Sequence, residues 1–174
     1  MWDVVGELIE PQDPKWFALR TAPRHEKRVH ERLLGRGVES FLPLWERWSR
    51  WKDRRKLVQL PLFSGYCFAH FAIHDRLEVI TTLGVRGIVG SNRGPEPVED
   101  AEIESLRTLI RSSLRFDPCP SIKIGMRVEV VRGPLMGVQG LLIRKDSKDR
   151  LVLSVDLIRQ GAAVAIDAVD VVAL

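Results

Sequence analysis

Apolar and polar positions alternate through "KWFALRT" (15–21), and the bulk of Trp16 and Phe17 marks that run as a strand. The period then lengthens. Pro23 is expected to open a helix whose apolar stripe is Val29, Leu33 and Leu34, with Gly35 and Gly37 ending it. A second strand is expected over "VESFLPL" (38–44), followed by "WERWSRWKDRRKLVQL", an extended hairpin turning near Lys52–Arg55. "SGYCFAHF" (64–71) reads as a third strand with Tyr66 and Phe68 on one face and Cys67 and Ala69 on the other. A short helix near 76–83, a strand at "RGIV" and the loop "GSNRGPEP" follow. Asp100 then caps a helix with Ile103, Leu106, Leu109 and Ile110 on one face. This order predicts an α+β sandwich, helices packed on an antiparallel sheet.

The pattern breaks at "RFDPCPSIK", where two prolines one residue apart disfavour helix and sheet alike. Residues 115–121 are therefore expected to link a domain at 14–114 to a second at 122–174. Beyond the break everything reads as β: candidate strands at 126–131, 138–144, 151–157, 162–166 and 169–172, with the charged turn "KDSKDR" between the second and third. Five short strands in about fifty residues predict a small five-stranded barrel.

Composition sharpens this. Of 174 residues 45% are hydrophobic, enough for a real core. Cys67 and Cys119 are too few for a disulfide-stapled secreted fold, and "MWDVVGELIE" lacks the basic start and apolar stretch of a signal peptide. Residues 57–74 carry no Lys, Arg, Asp or Glu, yet Gln59, Pro61, Ser64, Gly65, His70 and His74 make them too polar to span a bilayer. A cytoplasmic protein without membrane contact is expected. Its net charge is only +4, but unevenly placed: Lys15 to Lys56 holds thirteen Lys/Arg against five Asp/Glu, whereas Glu96 to Asp117 holds six acids against three arginines. One face working against a polyanion is the expectation.

Three glycines in "VRGPLMGVQGLL" (131–142) suggest a phosphate loop, but the spacing refuses it. A Walker loop needs Gly-Lys-Ser/Thr opening a helix, and here Gly140 is followed by Leu-Leu-Ile. Gly133-Pro134 instead suits a tight turn, and Gly140 a close backbone approach within a strand. Cys67, His70 and His74 have metal-like spacing, but alternation turns Cys67 and His70 to opposite faces. No nucleophile elbow or paired-acid context is present. The reading is a non-enzymatic protein that needs no cofactor and no metal.

What "IKIGMRVEVVRGPLMGVQGLLIRK" does resemble is a KOW motif, with Gly133, Pro134, Leu135, Met136, Gly137 and Gly140 at its turn. "KWFALRTAPRHEKRV", "LPLFSGYCF" and "TTLGVRGIVG…PEPVEDAEI" are similar, in order and spacing, to the N-terminal (NGN) domain of NusG-type transcription factors. The resemblance covers roughly residues 14–174, and the "RHEKRV…LL…G" helix and "WSRWKDRRK…PLF" hairpin look most like specialised paralogues of the RfaH, UpxY and LoaP kind. It implies a transcription elongation and antitermination factor that binds RNA polymerase at the β′ clamp helices and β gate loop. Trp16, Phe17, Phe63, Tyr66 and Phe68 are the matching aromatic positions for an apolar concavity, a chemistry that interface anchors favour. Arg20, Arg24, His25, Lys27 and Arg28, with Arg50, Lys52, Arg54 and Arg55 on the hairpin, would meet non-template DNA or nascent RNA. The barrel would recruit a partner such as ribosomal protein NusE. Two departures stand out: Ser64 replaces the usual Pro, and Ile158-Arg159-Gln160 stands where Phe-Gly-Arg is usual, which argues against Rho as a partner. The alternative reading is a general nucleic-acid- or ribosome-binding KOW protein without polymerase function.

Overall fold

A computed structural model describes residues 13–51, 54–119, 125–145 and 147–174. The N-terminal unit runs β1 (Lys15–Thr21), α1 (Glu26–Gly35), β2 (Glu39–Phe41), β3 (Leu44–Trp51), β4 (Arg54–Pro61), β5 (Tyr66–Phe71), α2 (Arg76–Ile80), β6 (Val85–Ile88), β7 (Gly90–Ser91), β8 (Gly94–Pro95), β9 (Pro97–Val98) and α3 (Asp100–Arg111). Its main sheet is antiparallel, in the order β2-β5-β1-β6, with β9 also pairing β1. Alternation along β1 and β5 gives the sheet two apolar faces. Phe17, Leu19, Cys67, Ala69 and Phe71 pack beneath α1 and α2 with Val29, Leu33 and Val79. Trp16, Ala18 and Phe68 face the other way, against Ile103, Leu106 and Leu109 of α3. β3 and β4 form a separate two-stranded hairpin.

The second unit is a six-stranded antiparallel sheet in the order β10-β14-β13-β12-β11-β15: β10 (Phe116–Cys119), β11 (Met126–Val130), β12 (Gln139–Lys145), β13 (Lys148–Val155), β14 (Gln160–Ala165) and β15 (Val171–Ala173). The five expected strands are all present. The sixth is a correction, because 116–119, expected to be linker, pairs along its whole length with Val164 to Gly161 of β14. Pro118 is tolerated there because β10 is an edge strand, whose missing N–H leaves no ladder donor unmet. Phe116 also packs against the core, and Asp117 is tied by a 2.8 Å ion pair to Arg150 of β13.

Smaller differences have local causes. The helix starts at Glu26, three residues after Pro23, because Arg24 takes a left-handed turn at φ 61°. Leu34, expected in the apolar stripe, is 50% exposed. "VESFLPL" is split, its Pro43 separating β2 from β3. Glu99, not Asp100, precedes α3 as its cap position, and its side chain makes no capping hydrogen bond.

The units meet through α3. That helix contacts both β1 and β13, and side chains of both units join in one buried cluster.

Candidate functional site

The first turn of α1 and the turn before β5 are locked together by a residue that composition made look like surface. Glu26 is 4% exposed, and its Oε1 accepts the Gly65 N–H at 2.7 Å. Gly65 sits at φ +83°, the conformation that glycine alone adopts freely, which aims the following strand. An acid at position 26 of a charge-rich stretch carries no sequence signal for this; only the turn that folds over it makes it a core acceptor. Burial, with Glu26 nearby, pushes the Cys67 thiol up to about 12, so that sulfur is an inert packing group.

Beside this junction lies an open, mostly apolar cleft of about 820 Å³. Trp45, Leu60 and Leu62 form one wall, Pro118, Cys119 and Gly161 of the second unit another, and Arg24 and Lys27 stand at its edge. Lys27 is not wholly free to act, since its Nζ donates to the Gln59 carbonyl at 2.8 Å and so ties α1 to β4. Arg32 and Arg36 likewise donate to the Leu83 and Glu78 carbonyls, at 2.6 and 2.8 Å.

The five aromatic positions are not an open concavity in this arrangement. Trp16, Phe17, Phe63 and Phe68 are at most 5% exposed, and only Tyr66 is half-buried. Phe17 lies under α1, on the opposite face from Trp16 and Phe68, so the set does not share one surface. Trp16 is roofed by Arg107 of α3, 4.9 Å above its ring, and flanked by the His70 ring at 5.0 Å. Arg107 is held in turn by Glu39 at 3.1 Å and Glu104 at 2.7 Å, while His70 Nδ1 lies 3.2 Å from the other Glu39 oxygen. Sequence reasoning missed this clasp, because Arg107, Glu39 and His70 come from three elements far apart in the chain.

The basic positions are more available. Arg20, Arg24 and Arg28 are exposed, and His25 is half-buried, its Nδ1 2.9 Å from the Pro23 carbonyl. Arg20 pairs across the sheet with Tyr66, bringing one expected nucleic-acid contact beside one expected protein contact. Burial lowers the pKa of His30, which faces inward to Ser40 Oγ at 2.9 Å. On the hairpin Arg50, Arg54 and Arg55 are exposed; Lys52 lies outside the described residues.

In the second unit the KOW-like turn is built as its glycines require. Gly133 and Gly137 take φ +87° and +83°, and Leu135 between them plugs the core at 2% exposure while Met136 stands out at 70%. Pro134 fills the tight turn between Gly133 and Leu135. A Cβ on Gly140 would lie 2.7 Å from the Val152 carbonyl oxygen, so that close approach demands glycine. Ile158 is buried, and Arg159 takes a left-handed φ of 55°.

A family model described as transcription termination factor nusG matches residues 14–107, more than half of the chain. The chain belongs to the NusG family. It is 28% identical over 172 residues to the transcription termination/antitermination protein NusG of Lactococcus lactis, covering 89% of this chain and 90% of that one. Against the protein of the same description from Deinococcus radiodurans it is 25% identical over 155 residues, 74% of this chain and 82% of the relative. The solved structure described as "Domain interaction in Thermotoga maritima NusG" shares the fold, with a TM-score of 0.55 at 21% identity over 91% of this chain and 96% of that one. The NusG-family α+β unit and the barrel with its KOW-like strands are thus both present. Among the described residues no helix is long and apolar enough to cross a membrane.

Proposed function

We propose that this NusG-family chain is a transcription elongation and antitermination factor that binds RNA polymerase and suppresses pausing or termination on particular operons. The observation that carries this is the apolar cleft beside "LPLFSGY", with a basic edge at Arg24 and Lys27. A protein helix tip would enter against Trp45, Leu60 and Ser64, while Phe63, Phe68 and Trp16 belong to the buried cluster on which Trp45 and Tyr66 lean; Phe17 supports the other face of the sheet. On this reading the cleft would accept the β′ clamp helices, and the β gate loop would complete the bridge. Arg20, Arg24, His25, Lys27 and Arg28 would meet displaced non-template DNA or emerging RNA. Binding that holds the polymerase in its closed state would disfavour the paused one, by preferring one conformation over the other.

The barrel is the second contact, with NusE as the partner of that class. Ile158 turned into the core offers no ring to a partner, which supports leaving Rho out. The hairpin supports a dedicated paralogue: residues 44–61 carry six Lys/Arg against two acids.

The test is binding of the full chain to core RNA polymerase from the same source, with Tyr66→Ala and Leu60→Ala beside wild type, followed by pause-site transcription. Expected are tenfold or greater losses of affinity in both folded variants and a parallel loss of pause suppression. A folded wild-type chain that ignores polymerase but binds free RNA would leave the general nucleic-acid reading in its place.

A further inference from the structure

The outer face of the β3–β4 hairpin holds side chains that belong to none of the buried core clusters. Trp48 stands directly opposite Leu57, and the next pair toward the tip on the same face is Arg50 opposite Arg55. Trp48 is 64% exposed and Leu57 41%, whereas Trp45, three residues earlier and on the reverse face, packs against the core. Two guanidinium groups directly opposite each other weaken a strand pair, and neither Arg50 nor Arg55 has an ion pair among the described residues. The nearest acid on this face, Glu46, is engaged by the Gln59 amide at 3.3 Å. An indole left in water and an unrelieved pair of cations are both costs, and one ligand relieves both.

We propose that this face is a stacking platform for single-stranded nucleic acid, with a base on Trp48 beside Leu57 and its neighbouring phosphates on Arg50 and Arg55. The site deepens the nucleic-acid contact proposed above and rests on that reading for its partner class. Charge selects a polyanion: the segment 44–61 carries Arg47, Arg50, Lys52, Arg54, Arg55 and Lys56 against Glu46 and Asp53, a net +4. The exposed ring then selects a single strand, because a duplex offers phosphates but hides its base faces. Successive pairs on one face of a strand are about 7 Å apart, so base and phosphate contacts fall within one nucleotide's reach. The described acceptors on this face, the Glu46 carboxylate and the Gln59 amide oxygen, lie on the far side of Trp48 from Arg50 and Arg55, so the proposed base and phosphate contacts do not read a 2′-hydroxyl and DNA and RNA bind alike.

Fluorescence anisotropy of the full chain with labelled 12-mer dT and U oligonucleotides, over a salt series, tests this. Trp48→Ala should weaken binding roughly 5- to 150-fold, Trp48→Phe should keep most of it, and neither should change the salt slope. Arg50→Ala with Arg55→Ala should reduce that slope by about 1.4, the effect of two lost phosphate contacts. A duplex of equal length should bind at least tenfold more weakly. The proposal is overturned if folded Trp48→Ala binds within twofold of wild type, if the duplex binds as well, or if one sugar is preferred more than tenfold. It is equally overturned if wild type binds no oligonucleotide and Trp48→Ala instead loses polymerase, which would make the face a protein contact. Polymerase binding measured in parallel separates the readings. A chain that holds oligonucleotide through Trp48 but ignores polymerase keeps this site and loses the proposed function. A chain that holds polymerase while Trp48→Ala leaves oligonucleotide affinity unchanged loses this site alone.

Discussion

Arg159 is a long cationic side chain on a left-handed backbone at φ 55°, a region that costs a residue with a Cβ roughly 1–2 kcal/mol. Its place after the buried Ile158 explains why the strain persists: the 3₁₀ turn over Asp156–Ile158 must reverse at once into β14. Arg159→Gly should therefore raise stability by about 1 kcal/mol, less than the full strain because glycine gives the unfolded chain more freedom. Urea unfolding of the two proteins checks this, and an unchanged or lower midpoint would show that the arginine makes an offsetting contact. At this scale the glycines were the most legible residues. Gly133-Pro134 and Gly140 announced a turn and a close approach from sequence alone, because few other residues can stand there. Glu26 and Arg107 were illegible, since what makes each structural is a partner from a distant segment: the Gly65 N–H for one, the Trp16 ring for the other.

Elements were legible where period and length agreed. β1 spans 15–21 as its alternation required, and the five barrel strands lie within a few residues of their expected places. β10 was missed for a specific reason: the rule that proline breaks sheets is a rule about interior strands, and nothing local says that 116–119 will lie at an edge. Four paired residues, the packing of Phe116 and Cys119, and the Asp117–Arg150 pair with Asp117 63% exposed help to hold that edge. A surface ion pair contributes at most about 1 kcal/mol. Asp117→Ala should accordingly speed amide exchange in the β10–β14 ladder by up to about fivefold while leaving the β12–β13 ladder unchanged. Equal acceleration in both ladders would mean that β10 is integral to the barrel and not an appended strand. The hairpin shows the opposite case. Its strands were expected, but whether Trp48 or Trp45 would face solvent depended on where the core lay, which alternation cannot say.

For the whole molecule the decisive contact is between α3 and the barrel, and its chemistry is acid-sensitive. Glu102 reaches across to accept the Asp156 N–H at 2.9 Å. Burial raises its pKa above the ordinary 4.5, the carboxylates of Asp156 and Glu99 push the same way, and the accepted backbone hydrogen bonds only partly oppose them. The acidic balance of Glu96–Asp117 was visible in the sequence; that one of its acids would be pressed against the second unit was not, because no sequence pattern orders two domains relative to each other. The consequence has a definite sign. As pH rises past 4.5 the unfolded chain releases this proton first, while the folded chain keeps it longer. Glu102 therefore favours the folded state most at low pH, and that advantage is lost as pH climbs through the raised value. Glu102→Gln keeps an acceptor for Asp156 but removes the charge. Its stability relative to wild type should be near zero or negative at pH 4 and should shift in the variant's favour by pH 7, read as the difference between thermal midpoints across that range. A gap that stays constant from pH 4 to 7 would show that the charge at Glu102 is solvated, and that the junction is held by the apolar stripe of Ile103, Leu106 and Leu109 alone.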